Sequence, residues 1–473
     1  MSSYTATVHG ERFSFADLRT LLAMANERKS GDELAGIAAT SERERVAAKL
    51  ALADVRLGDF DAAPLVEDEV TEATRAAVGP AAALISSLTV GELRELLLTP
   101  AYAAMHAAEL KDALLPEVVA AAAKVMGNLD LVVAAAPIRN VTRCRNTMGQ
   151  PGVLGSRVQP NHPTDDLAAV LISVVDGLLY ACGDAVIGIN PATDSVERTA
   201  LLLHGLADLV RTLEIPTQTC VLAHVTTQLR ALQDGAPVDL LFQSLAGSEA
   251  ANRAFGVDLE LLREGREAVL ASHRERVGDF VGEQCLYIET GQGSALSSEA
   301  HHGIDQLTME ARAQGAAKTL DPFLVNTVVG FIGPEYLADS RQITRAGLED
   351  HFVGKVLGLP MGADVCYTNH VDADQNTNDE LLALLASAGC NYVMALPAGV
   401  DTMLGYQSTS PHDVASVRRL NGLRPAPEFE AWAVERGILV NGGLPLAAVP
   451  DAGMIALAER IAAERAPQAL GQR

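Results

Sequence analysis

The chain has 473 residues, enough for one large α/β domain and a smaller appendage, and its 48% hydrophobic and 20% charged residues exclude a disordered polymer. A formal net charge of −24, 4% aromatic residues and a single tryptophan, Trp432, argue against nucleic acid, since phosphate is repelled and stacking platforms are scarce. No apolar run approaches the roughly 20 residues that span a bilayer, and Met1 to Asp17 lacks a basic segment followed by an apolar core, so neither a membrane span nor a secretory leader is expected.

The first part of the chain reads as helices. Leu18, Leu21, Leu22 and Ala25 recur at helical spacing, Ser41 and Glu44 form a capping-box pattern, and Pro80, Pro100 and Pro116 punctuate the segment. Residues 1–140 are therefore expected to form a helical amino-terminal domain.

From Pro151 the pattern changes to apolar run, polar loop, helix. The predicted units begin with Val153 to Gln159 and a helix from Thr164 to Cys182, then Ala185 to Asn190 with a helix capped by Asp194. Thr219 to His224 is the third, and Leu240 to Ser244 with one long charged helix from Ser248 to Arg276 is the fourth. The fifth is Cys285-Leu286-Tyr287-Ile288, ending on Glu289 and the loop Gly291-Gln292-Gly293, with a helix from Asp305 to Thr319. Leu324 to Val329 with a helix from Ser340 to Leu357, Asp364 to Thr368 with a helix from Asn378 to Ala388, and Tyr392 to Leu396 complete the count at eight.

Eight successive strand and helix units predict an α/β fold, a (β/α)8 TIM barrel over residues 141–402, with a carboxyl-terminal extension over 403–473 that closes the barrel. The competing fold is a doubly wound open sheet. It expects Gly-x-Gly-x-x-Gly at the first helix, whereas Gly291-Gln292-Gly293 lacks the third glycine and sits in the fifth unit.

On such a barrel, strand ends converge. They bring together Arg157, Gln159, Asn190, His224, Gln243, Glu289, Phe331, Asp364 and Met394. One arginine against two carboxylates leaves a pocket near charge −1, suited to a small cation with a neutral polar group. Glu289, Asp364 and the amide oxygen of Gln159 accept hydrogen bonds from an ammonium, while Arg157 and Asn190 hold a neighbouring hydroxyl. The structural alternative is a buried ion pair between Arg157 and Glu289, and His224 fits a hydrogen-bonded core histidine as well as an acid or base. The loop His370-Val371-Asp372-Ala373-Asp374 has metal-ligand residue types, but alternating aspartates in a polar loop more often serve turns and helix caps, so no metal is assigned. The six cysteines stand singly, with no Cys-x-x-Cys spacing, which predicts reduced thiols in the cytoplasm.

Several longer stretches carry a family resemblance. They are Ser30-Gly31-Asp32-Glu33-Leu34-Ala35-Gly36, Arg157-Val158-Gln159-Pro160-Asn161, Gly183 to Pro191, Val221 to Gln228, Glu289 to Ser297, Val329 to Tyr336 and Cys366-Tyr367-Thr368-Asn369-His370. Through them the chain resembles the large subunit of ethanolamine ammonia-lyase over nearly its whole length.

The resemblance implies an adenosylcobalamin-dependent radical enzyme that turns ethanolamine into acetaldehyde and ammonia. The cofactor's cobalt-carbon bond breaks homolytically, hydrogen is taken from the carbon bearing the hydroxyl, and the amino group migrates before ammonia leaves. It places catalysis on Glu289, Arg157 and Asp364 and substrate contacts on Arg157, Gln159, Asn190, Glu289 and Asp364, with Phe331 and Met394 lining the pocket. Cofactor contacts fall on Pro191, Gln243, Ser297 and Met403. It also implies a separate small subunit, several large subunits in one hetero-oligomer, and packaging in a bacterial microcompartment. Two rivals are a related cobalamin lyase or mutase acting on another amino alcohol or a diol, and a non-catalytic scaffold, which is expected to have lost pocket charges.

Overall fold

The computed structural model describes residues 4–106, 110–276, 280–330, 333–440, 443, 445 and 449–470. The chain opens with a hairpin, β1 (Tyr4–Val8) and β2 (Glu11–Phe15), turned by His9 and Gly10, both at positive φ. Short strands β3 (Thr142–Arg143) and β4 (Thr147–Met148) precede the barrel.

Eight strands form the barrel: β5 (Gly155–Val158), β6 (Val186–Ile189), β7 (Thr219–Val221), β8 (Leu241–Ser244), β9 (Leu286–Thr290), β10 (Leu324–Val328), β11 (Met361–Asp364) and β13 (Tyr392–Ala395). They run in the order β7-β6-β5-β13-β11-β10-β9-β8, and every paired neighbour is parallel. At the remaining seam the Leu240 N–H donates to the Thr219 carbonyl at 3.2 Å, and Asp239 Oδ2 takes the Thr219 N–H at 2.9 Å, which nearly closes the barrel. Strands covered on both faces need continuous apolar runs, and Val186-Ile187-Gly188-Ile189 is buried throughout.

Several boundaries depart from expectation. The seventh barrel strand is Met361–Asp364 rather than Asp364–Thr368, because the chain leaves the barrel after Asp364. Tyr367–Thr368 is β12 of a separate small sheet, ordered β12-β15-β14, with β14 (Val400–Asp401) and β15 (Tyr406–Gln407). The long fourth helix is two, Glu249–Ala254 and Leu259–Glu275. Gly256 at φ +76 breaks it, and Asp258 caps the second piece. Ser195, not Asp194, caps the helix Val196–Leu213, while Asp194 accepts the His224 N–H. Ser41 caps its helix as expected, but Glu44 turns to Thr40 rather than back to the Ser41 amide.

The helices behind β9 and β10, Gln306–Lys318 and Ser340–Leu357, are buried almost all round. Their outer faces meet amino-terminal helices such as Pro116–Lys124. Charges caught there are paired: Lys29 with Glu349 at 2.8 Å, Lys124 with Asp305 at 2.6 Å, and Arg312 with both Glu117 and Asp68. On the opposite side Arg418, in the helix Pro411–Asn421, meets the buried Asp184 at 2.9 Å and fixes the extension to β5. Among the described residues no helix is long and apolar enough to cross a membrane.

Candidate active site

Arg157 projects from β5 into the barrel, and its guanidinium has a partner at each nitrogen. Nη1 donates to the Tyr287 hydroxyl at 2.6 Å and to Glu289 Oε1 at 2.8 Å, while Nη2 donates to Asn190 Oδ1 at 3.1 Å. Nε and Nη2 also lie 3.4 Å from the Gly188 carbonyl. Burial works against the charge, yet Tyr287, Glu289 and Tyr406 outweigh it and hold the Arg157 pKa above its ordinary value.

The ion pair of the structural alternative is therefore present, but it occupies one oxygen of Glu289. Oε1 takes Arg157, the Tyr287 hydroxyl at 3.0 Å and Asn326 Nδ2 at 3.4 Å. Among the described residues nothing donates to Oε2, and the side chain stays 15% exposed against 1% for Arg157. A free, partly open carboxylate oxygen beside a fixed positive group can accept an ammonium without losing its anchor.

Asp364 ends β11 and is buried. The Ser408 hydroxyl donates to its Oδ1 at 2.6 Å, and the Tyr406 hydroxyl also bonds it. Burial pushes its carboxyl up to about 6, against the lowering exerted by Ser408, Arg157 and Tyr406. Gln159 joins through the same tyrosine, since its Nε2 donates to Tyr406 Oη at 2.8 Å and to Asp401 Oδ2 at 2.9 Å. The five proposed substrate residues thus form two linked groups: Arg157, Asn190 and Glu289 directly, Gln159 and Asp364 through Tyr406.

The remaining sequence candidates surround these groups. Met394 is adjacent to Arg157 in the strand ladder and packs in a small buried cluster with Cys366, Leu396 and Tyr406. Phe331 lies outside the described residues. Pro191 directly follows Asn190 and is half-buried, in a loop whose Ala192 and Thr193 amides are clamped by Asp165. Gln243 is buried and accepts the Val225 amide at 3.1 Å, Ser297 is exposed on the short helix Ser294–Ser297, and Met403 is half-buried just beyond β14. His224 is engaged at both ring nitrogens, with Thr226 Oγ1 at 2.8 Å and the Phe255 carbonyl at 3.0 Å. It ties the loop after β7 to the helix break. Asp374 caps the helix Gln375–Ser387, the role expected of an aspartate in that loop.

Residues that the sequence reading passed over complete the site. Tyr287 stands two positions before Glu289, hence on the same strand face. Asn326 is a polar residue inside the apolar run Leu324–Val328, and Asn161 continues the alternation of Arg157 and Gln159. Those three had a signal in their spacing; Asp401, Tyr406 and Ser408, delivered by a distant loop, had none.

A sequence model of the family described as ethanolamine ammonia lyase large subunit matches residues 13–446. The ethanolamine ammonia-lyase large subunit of Escherichia coli (strain K12) is 48% identical over 442 residues, covering 93% of this chain and 96% of that protein. The large subunit from Salmonella typhimurium (strain LT2) is 49% identical over the same shares. On these matches, the chain belongs to the ethanolamine ammonia-lyase large-subunit family.

Proposed function

We propose that the chain is the catalytic large subunit of an adenosylcobalamin-dependent ethanolamine ammonia-lyase, which converts ethanolamine to acetaldehyde and ammonia together with a small subunit. The observation that carries this reading is the divided Glu289 carboxylate, one oxygen bound to Arg157 and the other free. The free oxygen, with Asp364 and Gln159 Oε1, receives the substrate ammonium. Arg157 and Asn190 stand where the substrate hydroxyl is held, and the arginine charge balances negative charge that builds on that oxygen.

Adenosylcobalamin, when bound, supplies the radical that removes a hydrogen from the substrate. Pro191, Gln243, Ser297 and Met403 would hold it, and their chemistry fits. They are neutral, they stand on the loops and strand ends after β6, β8, β9 and β14, and they offer an amide, a hydroxyl, a thioether and a ring to a large ligand that brings its own metal. Arg157 and Asp364 are buried, a feature that keeps water from the reacting carbons. The buried, unpaired state of all six cysteines supports a reducing compartment.

The test is substrate choice. In the complex of large and small subunits loaded with adenosylcobalamin, ethanolamine should be turned over and 1,2-ethanediol should not, because the diol brings no cation to the pocket. Turnover of the diol at the greater kcat/KM would instead favour a diol lyase.

A further inference from the structure

Asp401 contacts four N–H groups and belongs to no barrel strand. Its Oδ1 accepts the backbone amides of Met403 at 2.9 Å and Leu404 at 2.7 Å; its Oδ2 accepts Gln159 Nε2 at 2.9 Å and Asn161 Nδ2 at 2.5 Å. The residue is buried, so neither oxygen is free to turn toward solvent. Asn161 cannot flip, because its Oδ1 already accepts the Asn190 amide at 2.8 Å. With the Asn161 amide nitrogen fixed toward Asp401, and the two backbone donors fixed as well, Asp401 must act as an acceptor at both oxygens.

The consequence falls on Gln159. An amide side chain can present either its NH2 or its oxygen to a pocket, and only its partners decide which. An acceptor-only group at Asp401 holds Nε2, with Tyr406 Oη as the second acceptor, and Gln159 Oε1 is left with no hydrogen bond among the described residues. A free carbonyl oxygen attracts an ammonium, whereas a free NH2 would repel it.

We propose that Asp401 is a positioning residue that sets the amide orientation of Gln159, and so makes the pocket select a cationic amino alcohol over a neutral diol. The inference rests on the reading of the pocket as an ethanolamine site. It also makes the segment from Val400 to Gln407 part of substrate recognition, because one carboxylate joins the Met403–Leu404 turn to Gln159 and, through Asn161, to the backbone of Asn190.

The test uses the complex of large and small subunits. Asp401→Asn keeps the shape but gives one side of the residue an NH2, which removes the demand that Gln159 point its own NH2 outward. The KM for ethanolamine should rise about tenfold or more while inhibition by 1,2-ethanediol is unchanged or stronger, and equilibrium dialysis of labelled ethanolamine against the cofactor-free complex should show the same loss. In a Gln159→Met background the Asp401→Asn change should add little. Equal weakening of ethanolamine and the diol would indicate a merely collapsed loop and overturn the proposal, as would unchanged ethanolamine binding. Should the Asp401→Asn complex fail to assemble, Asp401→Ser carries the same expectations, since a serine hydroxyl can still cap the Met403 and Leu404 amides. Absence of ammonia release by the wild-type complex would count against the ethanolamine reading itself; a normal wild type with an unaffected Asp401 variant would count against the positioning role alone.

Discussion

On the proposed reading, Glu289 and Asp364 serve one cation through different electrostatics. Glu289 is anchored by Arg157 on one oxygen, whereas burial pushes the Asp364 carboxyl up to about 6 against the hydrogen bonds of Ser408 and Tyr406. Ammonium binding that needs Asp364 ionised should weaken as pH falls through 6, seen as a rising KM for ethanolamine; Asp364→Asn should flatten that limb while raising KM throughout. Linkage gives the opposite sign for the fold. A carboxyl whose folded pKa lies above its unfolded value of 3.8 stabilises the fold below that value, and the gain is lost as pH rises through about 6. At pH 8 Asp364→Asn should therefore be the more stable protein in denaturant unfolding, by on the order of 1 to 3 kcal/mol, and a less stable variant would show that Asp364 is retained for packing. Gly188 offers a second residue-scale test. A Cβ there would stand 2.9 Å from Arg157 Nε, so Gly188→Ala should shift the guanidinium and lower kcat/KM about tenfold or more, with little change in melting temperature. Of the site, Glu289 and Asn190 were legible in the sequence because each ends an apolar run, Arg157 stood out as a charge inside one, and Asp364 was read at the start of a strand although it ends one. Tyr287 and Asn326 share strand faces with them, but an isolated tyrosine or asparagine in a strand carries no charge to mark it. Asp401, Tyr406 and Ser408 were illegible, since only the folded chain brings residues 401–408 over β5 and β11.

At the scale of elements, the barrel was readable because parallel strands buried on both faces are mostly apolar, and that run length recurs. Local pattern does not show where a chain leaves a sheet. Cys366-Tyr367-Thr368 looks like a strand and is one, but β12 belongs to the small sheet, so the barrel strand lies earlier and Asp364 ends it. Likewise the helix from Ser248 was broken by Gly256 at positive φ, a preference that glycine permits without demanding. The helix Gln306–Lys318 has no single apolar stripe because both of its faces are covered. The clamp between elements can be tested at Asp184, which receives the Ser156 and Ala426 amides and the Arg418 guanidinium. Asp184→Ala strands a buried arginine and should cost about 3 to 5 kcal/mol in urea unfolding, whereas an effect below 1 kcal/mol would show that the extension is held by apolar packing alone.

Across the whole molecule, the amino-terminal region acts as a buttress. It covers the two helices that stand behind β9 and β10, the strands that carry Glu289 and Asn326, and it inserts Lys29 against Glu349. Burial alone would raise the Glu349 carboxyl, but Lys29 and Arg345 hold it down at about 2. With the folded pKa below the ordinary value of 4.5, this pair stabilises the molecule above that pH and its contribution fades as pH falls toward 2. Lys29→Met should destabilise by about 3 to 5 kcal/mol at pH 7.5 and by progressively less below pH 4.5, measured by denaturant unfolding. On the proposed reading, this molecular frame holds one carboxylate oxygen of Glu289 free for a substrate ammonium. Ammonia release from ethanolamine, compared between wild type and Glu289→Gln in complexes loaded with adenosylcobalamin and the small subunit, tests it most directly. The account predicts release by the wild type and a fall of about a hundredfold or more in kcat/KM for a variant that remains folded, and wild-type turnover in Glu289→Gln would contradict it.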